Sequence, residues 1–172
     1  MNELDDVWEK MFEESRIENA SADRGILSEF LALKASNDEV RSRAVEWLLS
    51  VFTELASHAN RRSAGIEIQR KEPHSFSAFG ANMVGVCIDL RQGVRCLTVE
   101  AGWTRLPSDG FMRGGALAVA HLRHFGIKSQ DTHLALLKTA ELPEWHVVDH
   151  NNVARPVEAD DITRHITLLI DH

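Results

Sequence analysis

Residues 83 to 101 constrain the fold most, because apolar and semi-polar side chains alternate there on both sides of a glycine-containing turn. The apolar positions are Val84, Val86, Ile88, Leu90, Leu97, Val99 and Ala101, and the mixed positions are Met83, Gly85, Cys87, Asp89, Cys96, Thr98 and Glu100. Alternation with a period of two is typical of a half-buried antiparallel strand pair. The segment therefore predicts a β-hairpin with one apolar face and one mixed face.

The two cysteines of the chain both fall on the mixed face of this hairpin. In the register in which Arg91 pairs with Val94, Cys87 and Cys96 are diagonal neighbours, and a disulfide would require a bulge or a register shift. A reducing compartment favours free thiols, and no further Cys/His cluster completes a zinc site. We therefore predict two free thiols and no metal site here.

Length, composition and charge narrow the class of protein. The chain has 172 residues, of which 44% are hydrophobic and 26% charged, which fits one domain with a full core. Its apolar runs are shorter than the ~20 residues that a membrane span requires, and Met1 leads into an acidic amphipathic segment rather than a signal peptide. The net charge of −7 argues against nucleic-acid binding. We predict a cytoplasmic location without membrane or nucleic-acid partners.

The first third of the chain has helical periodicity. Three segments each carry an apolar stripe at helical spacing. The stripe of residues 2–18 consists of Leu4, Val7, Trp8, Met11 and Phe12, and that of residues 22–35 consists of Ile26, Leu27, Phe30, Leu31 and Lys34. The stripe of residues 37–58 consists of Val40, Ala44, Trp47, Leu48, Val51 and Leu55. Ser21 and Asn37 are suitable N-caps for the second and third helices. The pattern predicts an N-terminal helical extension over residues 1–36 and an α+β domain over residues 37–172.

The rest of the chain predicts a mixture of strands and helices. Residues 65–70 alternate as a strand before the hairpin, residues 111–124 indicate a helix that ends at Gly126, and strands follow near 133–139 and 144–149. Residues 160–170 predict a closing helix. The fold class is therefore α+β: an antiparallel sheet of about five strands packed with helices, in the order α-βββ-α-ββ-α from residue 37, preceded by two amphipathic helices.

This order of elements, with the chain's size and acidity, resembles the type III secretion chaperone-like fold, in which helices back a small antiparallel sheet. The resemblance extends over residues 37–171, and the two N-terminal helices depart from it. Chaperones of that family are small, acidic and usually dimeric, and they bind unfolded segments of partner proteins. The resemblance therefore implies a protein partner and a homodimer.

The mixed face of the hairpin is the first candidate site. Met83, Cys87, Cys96 and Thr98 form a semi-polar surface that a partner segment or an amphipathic helix can cover. We interpret these residues as a protein interface. The preferred function is a non-catalytic protein-binding module, chaperone-like or regulatory, that acts through this sheet face and its amphipathic helices.

An alternative site lies where the helix over residues 111–124 is predicted to begin. Backbone N–H groups at a helix N-terminus, together with a nearby guanidinium, hold anions well. The residues concerned are Arg105, Asp109, Arg113, Gly114 and Gly115. This alternative is an anion-binding or small-molecule enzyme, whereas the structural interpretation makes Asp109 a cap and lets the glycines pack closely.

The sequence contains no catalytic or metal-binding pattern that predicts a further site. Asp89 and Glu100 lie about 13 Å apart in the predicted register, too far to share a metal ion. His121 and His124 are three residues apart on the predicted helix, but no third ligand converges on them. No G-x-S-x-G elbow occurs, and neither cysteine opens a helix. We predict no catalytic residue, cofactor or metal, and leave enzymatic activity open while leaning against it.

Overall fold

The computed structural model describes the backbone of residues 3–171 and the side chains of residues 20–171. The chain divides into two compact units, Met1–Glu39 and Val40–His172. The helices are α1 (Glu3–Asn60) and α2 (Ala159–Ile170), and the strands are β1 (Glu67–Ala78), β2 (Ala81–Gln92), β3 (Arg95–Trp103), β4 (Ala118–His124), β5 (Thr132–Leu137), β6 (Glu144–Val148) and β7 (Ala154–Pro156). Among the described residues, no helix combines the length and the apolar character needed to cross a membrane.

A single helix, α1, replaces the three helices that the sequence predicted between residues 2 and 58. Ser21 and Asn37, predicted as N-caps, lie inside it, and no proline occurs before Pro73. Capping residues start a helix only where the preceding backbone is not already helical, so they do not break a continuous run of good helix formers. The predicted stripe of residues 2–18 falls on side chains outside the described residues.

Seven antiparallel strands form one sheet in chain order, from β1 to β7. The α+β class and the antiparallel sheet are thus confirmed, while the predicted number of five strands was too low. β1 continues past residue 70 through Pro73, with a register irregularity between Lys71 and His74, and β7 is a three-residue edge strand. The predicted closing helix is confirmed as α2.

The central hairpin is confirmed, but its predicted register was wrong by two residues. Arg91 pairs with Cys96, not with Val94, and the two-residue loop is Gly93-Val94. Gly93 has a φ of 59°, and Val94 is not among the described residues with positive φ, which matches a type II′ turn with glycine at its first central position. Cys87 consequently lies opposite Glu100.

The helix predicted over residues 111–124 was wrong, because residues 118–124 form the central strand β4. β4 pairs with β3 on one side and with β5 on the other, and each of its residues except Arg123 is buried. Before it lie two short 3₁₀ turns, Pro107–Asp109 and Arg113–Gly115. Gly126, predicted as the end of the helix, has a φ of 81° in the turn after β4.

One face of the sheet carries the main core, and we call it the core face. Helix side chains from α1 and α2 cover it: Val45, Leu48, Leu49, Phe52, Ala56, Ile162, Ile166 and Leu169. Polar contacts also attach α1 to the sheet region. Arg41 donates from Nε to the carbonyl of Leu117 at 2.7 Å, Trp145 donates from Nε1 to that of Ala44 at 3.1 Å, and Arg70 of β1 donates from Nη1 to Glu46 at 3.1 Å. This packing supplies the main stabilisation of the second unit.

The opposite face, the mixed face, is defined by Cys87, Asp89, Cys96, Thr98, Glu100, His121 and Arg123. It has its own small apolar cluster, whose buried members come from the strands and their connections: Ala78, Ala81, Met83, Ala116, Val119 and Ala135. The described helical residues of the second unit pack instead on the core face. Polar side chains of the strands therefore remain available on the mixed face.

Candidate functional site

An open groove of about 670 Å³ lies on the mixed face, toward the ends of the sheet where β2 turns into β3 and β4 turns into β5. Strand side chains form its floor, and the two turns form its rim. The lining residues are Lys71, His74, Cys87, Asp89, Arg91, Val94, Cys96, Thr98, Glu100, Arg123, His124, Phe125, Gly126, Lys128 and Asp131.

A buried carboxylate, Glu100, stands at the inner end of this groove and is only 2% exposed. His74 Nε2 lies 2.8 Å from its Oε2, and because an ionised carboxylate only accepts, the imidazole donates. Arg123 Nη2 lies 2.8 Å from Oε1, and His121 Nδ1 lies 3.6 Å from the same oxygen. Side chains from β1, β3 and β4 thus converge on one negative charge.

A second carboxylate, Asp89, is paired separately. Lys71 Nζ donates to its Oδ2 at 2.6 Å and Thr98 donates from Oγ1 to its Oδ1 at 2.7 Å. The observed register makes this possible, because it places Asp89 directly opposite Thr98. Each carboxylate on the floor of the groove therefore has its own cation.

The protonation states follow from these contacts. Burial alone raises the pKa of Glu100, but His121, the hydrogen bond from His74 and the charge of Arg123 outweigh it and lower that pKa. Burial likewise raises the pKa of Asp89, and the hydrogen bonds from Lys71 and Thr98 bring it below its usual value. Both groups are ionised at neutral pH.

Cys87 is a poor nucleophile in this setting. Burial, followed by the nearby charges of Asp89 and Glu100, raises the pKa of its thiol to about 12. A thiol reacts through its thiolate, which hardly exists five units below the pKa. Cys87 and Cys96 are both free, and four residues along β3 separate Cys96 from Glu100, the partner of Cys87.

Imidazoles and phenyl rings extend the mixed face beyond Glu100. The rings of His121 and His133 meet edge to face with centroids 4.4 Å apart, and Phe76 and Phe79 pack against His121. Burial, and then the proximity of His121, lower the pKa of His133. His121 Nε2 and His133 Nδ1 are buried without a hydrogen-bond partner. This part of the face therefore consists of imidazole and phenyl rings that pack on one another.

No protein-family model, curated protein or solved structure matches the chain. The resemblance to the type III secretion chaperone-like fold accordingly stays a prediction. The geometry of the mixed face carries the functional inference.

Three of the four residues predicted as a protein interface line the groove. Cys87 lies on its floor, and Cys96 and Thr98 are half-buried along its side. Met83 lies outside it, in the small apolar cluster of the same face, and is 1% exposed. The interface role itself stays a prediction.

The two arginines of the alternative anion site pack against different aromatic rings. Arg105 lies over the ring of Trp103 with its Cζ 3.7 Å from the centroid, while Arg113 lies near Phe79 at 5.9 Å. Asp109 accepts hydrogen bonds from the backbone of Arg105 and the residue after it, so it acts as a local cap. Gly114 and Gly115 have φ values of 64° and 71° in a 3₁₀ turn. The helix N-terminus on which the anion hypothesis depended is absent.

The side chains that complete the groove were missed at the level of sequence. Lys71 and His74 lie in the part of β1 beyond the strand predicted over residues 65–70, and Arg123 lies in the stretch predicted as a helix. The alternation of Ala120 and Leu122 with His121 and Arg123 was the available signal. Asp89 and Glu100 are also closer than predicted, yet no group of three or more metal ligands occurs among the described residues.

Replacing Glu100 by glutamine tests the charge network. We expect the free energy of unfolding at neutral pH to fall by about 2 kcal/mol, since a charged hydrogen bond is lost but Arg123 remains half-exposed to water. Urea denaturation measures the change. The exposed Glu141→Gln is the matched control, and equal stabilities for the two variants would show that the network contributes nothing.

Proposed function

We propose that the protein is a non-catalytic binding module that takes a segment of a partner protein into the groove of its mixed face. The observation that carries the proposal is an open groove with two kinds of surface. The carboxylates on its floor are paired with cations of the same chain, and its rim exposes two large apolar side chains. Val94 is 91% and Phe125 77% exposed.

The protonation states support binding rather than catalysis. The raised pKa of Cys87 removes the thiolate that a nucleophile needs. The lowered pKa values of Asp89 and Glu100 remove the protonated carboxyl that a general acid needs at neutral pH. Each carboxylate is also engaged by a cation, so a substrate would have to displace an ion pair to reach it.

The rim supplies what a protein interface requires. Phe125 sits in the turn after β4, where its backbone N–H donates to the carbonyl of Cys96 at 2.8 Å and holds the turn against β3. A positioned, exposed aromatic side chain is a common anchor in protein interfaces. Val94 presents a second apolar side chain from the neighbouring hairpin.

The charges of the groove indicate the kind of segment that fits. After Lys71 has paired with Asp89 and Arg123 with Glu100, Arg91, Lys128 and Asp131 remain among its charged lining residues. Two cations and one anion give the rim a positive balance, although the whole chain carries −7. A segment with an apolar side chain and an acidic one complements this surface.

The edge of the sheet is a less suitable docking place than its face. The sheet has two edge strands: in β1, Pro73 lacks an N–H group and the strand is irregular between Lys71 and His74, and β7 is only three residues long. Charges and irregularities of this kind discourage the pairing of a further strand. A partner segment therefore lies across the groove rather than extending the sheet.

Peptides selected from a random display library against the immobilised protein test the proposal. We expect the enriched peptides to contain apolar and acidic residues, and the Phe125→Asp variant to weaken their affinity by at least about tenfold. Isothermal calorimetry measures the affinity.

Phe111→Asp is the matched control, because Phe111 is 87% exposed and lies outside the groove. It should leave the affinity unchanged. An absence of enriched peptides, or an equal loss of affinity in both variants, would contradict the proposed function.

A further inference from the structure

Helix α1 exposes an apolar stripe within the first unit of the chain. Ile26, Phe30 and Leu33 are 66%, 62% and 60% exposed, and all side chains from residue 21 to residue 36 are exposed. A helix gains most of its stability in water from covering such a stripe, because propensity alone is marginal. A contiguous exposed apolar stripe marks an interaction surface.

The spacing of the stripe specifies what covers it. Ile26, Phe30, Leu33 and Asn37 are separated by four, three and four residues, which is the a/d alternation of a coiled coil. Ile26 and Leu33 take d positions, and Phe30 and Asn37 take a positions. We propose that residues 26–37 pair with the same residues of a second copy of this chain in a parallel, two-stranded coiled coil.

Charge complementarity supports a second copy in parallel orientation. With Phe30 at a, Glu29 occupies the g position and Lys34 the e position of the next heptad. In a parallel pair, a g position contacts the e position five residues later on the partner helix. Glu29 therefore faces the partner's Lys34, and Lys34 faces the partner's Glu29. An antiparallel pair brings g to g and e to e, which opposes like charges.

Asn37 supports the same arrangement. A single asparagine at an a position favours two strands in register, because the two amides hydrogen-bond to each other across the seam and have no partner if the helices slip. In an antiparallel pair the a position faces d, and Asn37 would oppose an apolar residue.

Both ends of the seam are defined. At the preceding a position stands Asp23, which would oppose its own copy and disfavours an extension in that direction. At the following d position stands Val40, which is partly buried against the core of its own chain. The seam is short, so the dimer should dissociate on dilution, and its charge pairs should respond to salt.

Sedimentation equilibrium of the full chain over a dilution series tests the proposal. We expect a monomer–dimer equilibrium, with Leu33→Glu raising the dissociation constant by about a hundredfold because it places a charge in the seam. Leu31→Glu is the matched control: Leu31 is also more than half exposed, but its b position lies outside the seam. A monomeric or trimeric wild type, or equal effects of the two variants, would overturn the proposal.

Charge reversal tests the orientation. Glu29→Lys and Lys34→Glu should each weaken the dimer by about tenfold, and the double reversal should restore most of the affinity. The two residues are five apart, which is not a contact spacing within one helix. Lys34→Glu also places an acidic side chain four residues before Asp38, which destabilises the helix within one chain. The double variant retains this repulsion, so any recovered dimer affinity comes from contacts with the partner chain. A double variant as weak as the singles would overturn the parallel arrangement.

Discussion

Replacing Gly85 by alanine is expected to destabilise the second unit by about 4 kcal/mol, a loss at the upper end of single substitutions. Gly85 pairs with Gly102 across β2 and β3. A Cβ at Gly85 would lie 1.9 Å from the carbonyl oxygen of Ala101 and 2.6 Å from Cα of Gly102, and both are backbone atoms that no rotamer change moves. The hairpin would have to open at its centre. Thermal or urea unfolding measures the loss.

Gly25→Ala provides the matched control for this glycine substitution. Gly25 lies inside α1, and a Cβ there meets nothing within 4 Å. Alanine favours a helix over glycine, so the control should leave the unfolding midpoint unchanged or raise it slightly. A stable, cooperatively folded Gly85→Ala variant would mean that the two strands do not approach as closely as described.

Acidification from pH 6.5 to pH 4 is expected to remove about 3 kcal/mol of stability through His165 alone. His165 of α2 is 1% exposed, and its Nδ1 lies 2.9 Å from Nε2 of His124. Burial, and then the proximity of His124 and Arg164, lower the pKa of His165 to about 4, against the weaker opposing effect of Asp161. Burial also lowers the pKa of His124, partly offset by Asp131.

The direction of the effect follows from proton binding. Between about pH 6.5 and 4 the unfolded chain holds a proton on this histidine and the folded chain does not, so the free energy of unfolding falls as the pH falls. The ionised carboxylates of the mixed face begin to lose their contribution as the pH falls to their unfolded pKa values near 4, and they lose the rest as it falls further toward their lowered folded values.

His165→Met should flatten the pH dependence in this window, as measured by urea midpoints at successive pH values. His124 and His133, whose pKa values are also lowered, retain part of the slope. The exposed His150→Gln is the control and should leave the slope unchanged. A variant at position 165 with the wild-type slope would show that the buried imidazole pair does not link folding to protons.

The faces of the central hairpin could be predicted from the sequence, whereas its register was predicted wrongly. Its alternation predicted both faces correctly, but the turn was assigned to Gln92-Gly93 instead of Gly93-Val94. A turn with Gln92 and Gly93 as its central residues would be of type I′ and would require a positive φ at Gln92. A type II′ turn with Gly93 at its first central position requires a positive φ at that glycine alone. Considering φ alone would have corrected the register, and with it the positions of Asp89 and Glu100.

β4 illustrates what the sequence did not decide. The seven residues of β4 mix four apolar side chains with two histidines and an arginine, so their pattern is ambiguous between a helix and a central strand, and the alanines before His121 favour a helix by propensity. Pairing with β3 and β5 overrides that preference. Because Arg123 and His121 were predicted on a helix, the charge network around Glu100 was not predicted, although three of the four proposed interface residues line the groove.

The order of the strands bears on how the molecule reaches its folded state. Each strand pairs with its neighbour in sequence, so most of the loops that close a pair are short and the entropic cost of those closures is small; the connection over residues 104–117, between β3 and β4, is the long one. The sheet can therefore grow outward from local hairpins. Its core face is covered from both ends of the second unit, by α1 and by α2, and Ile162, Ile166 and Leu169 arrive last in the chain. The core is therefore complete only when this twelve-residue helix has packed against the sheet.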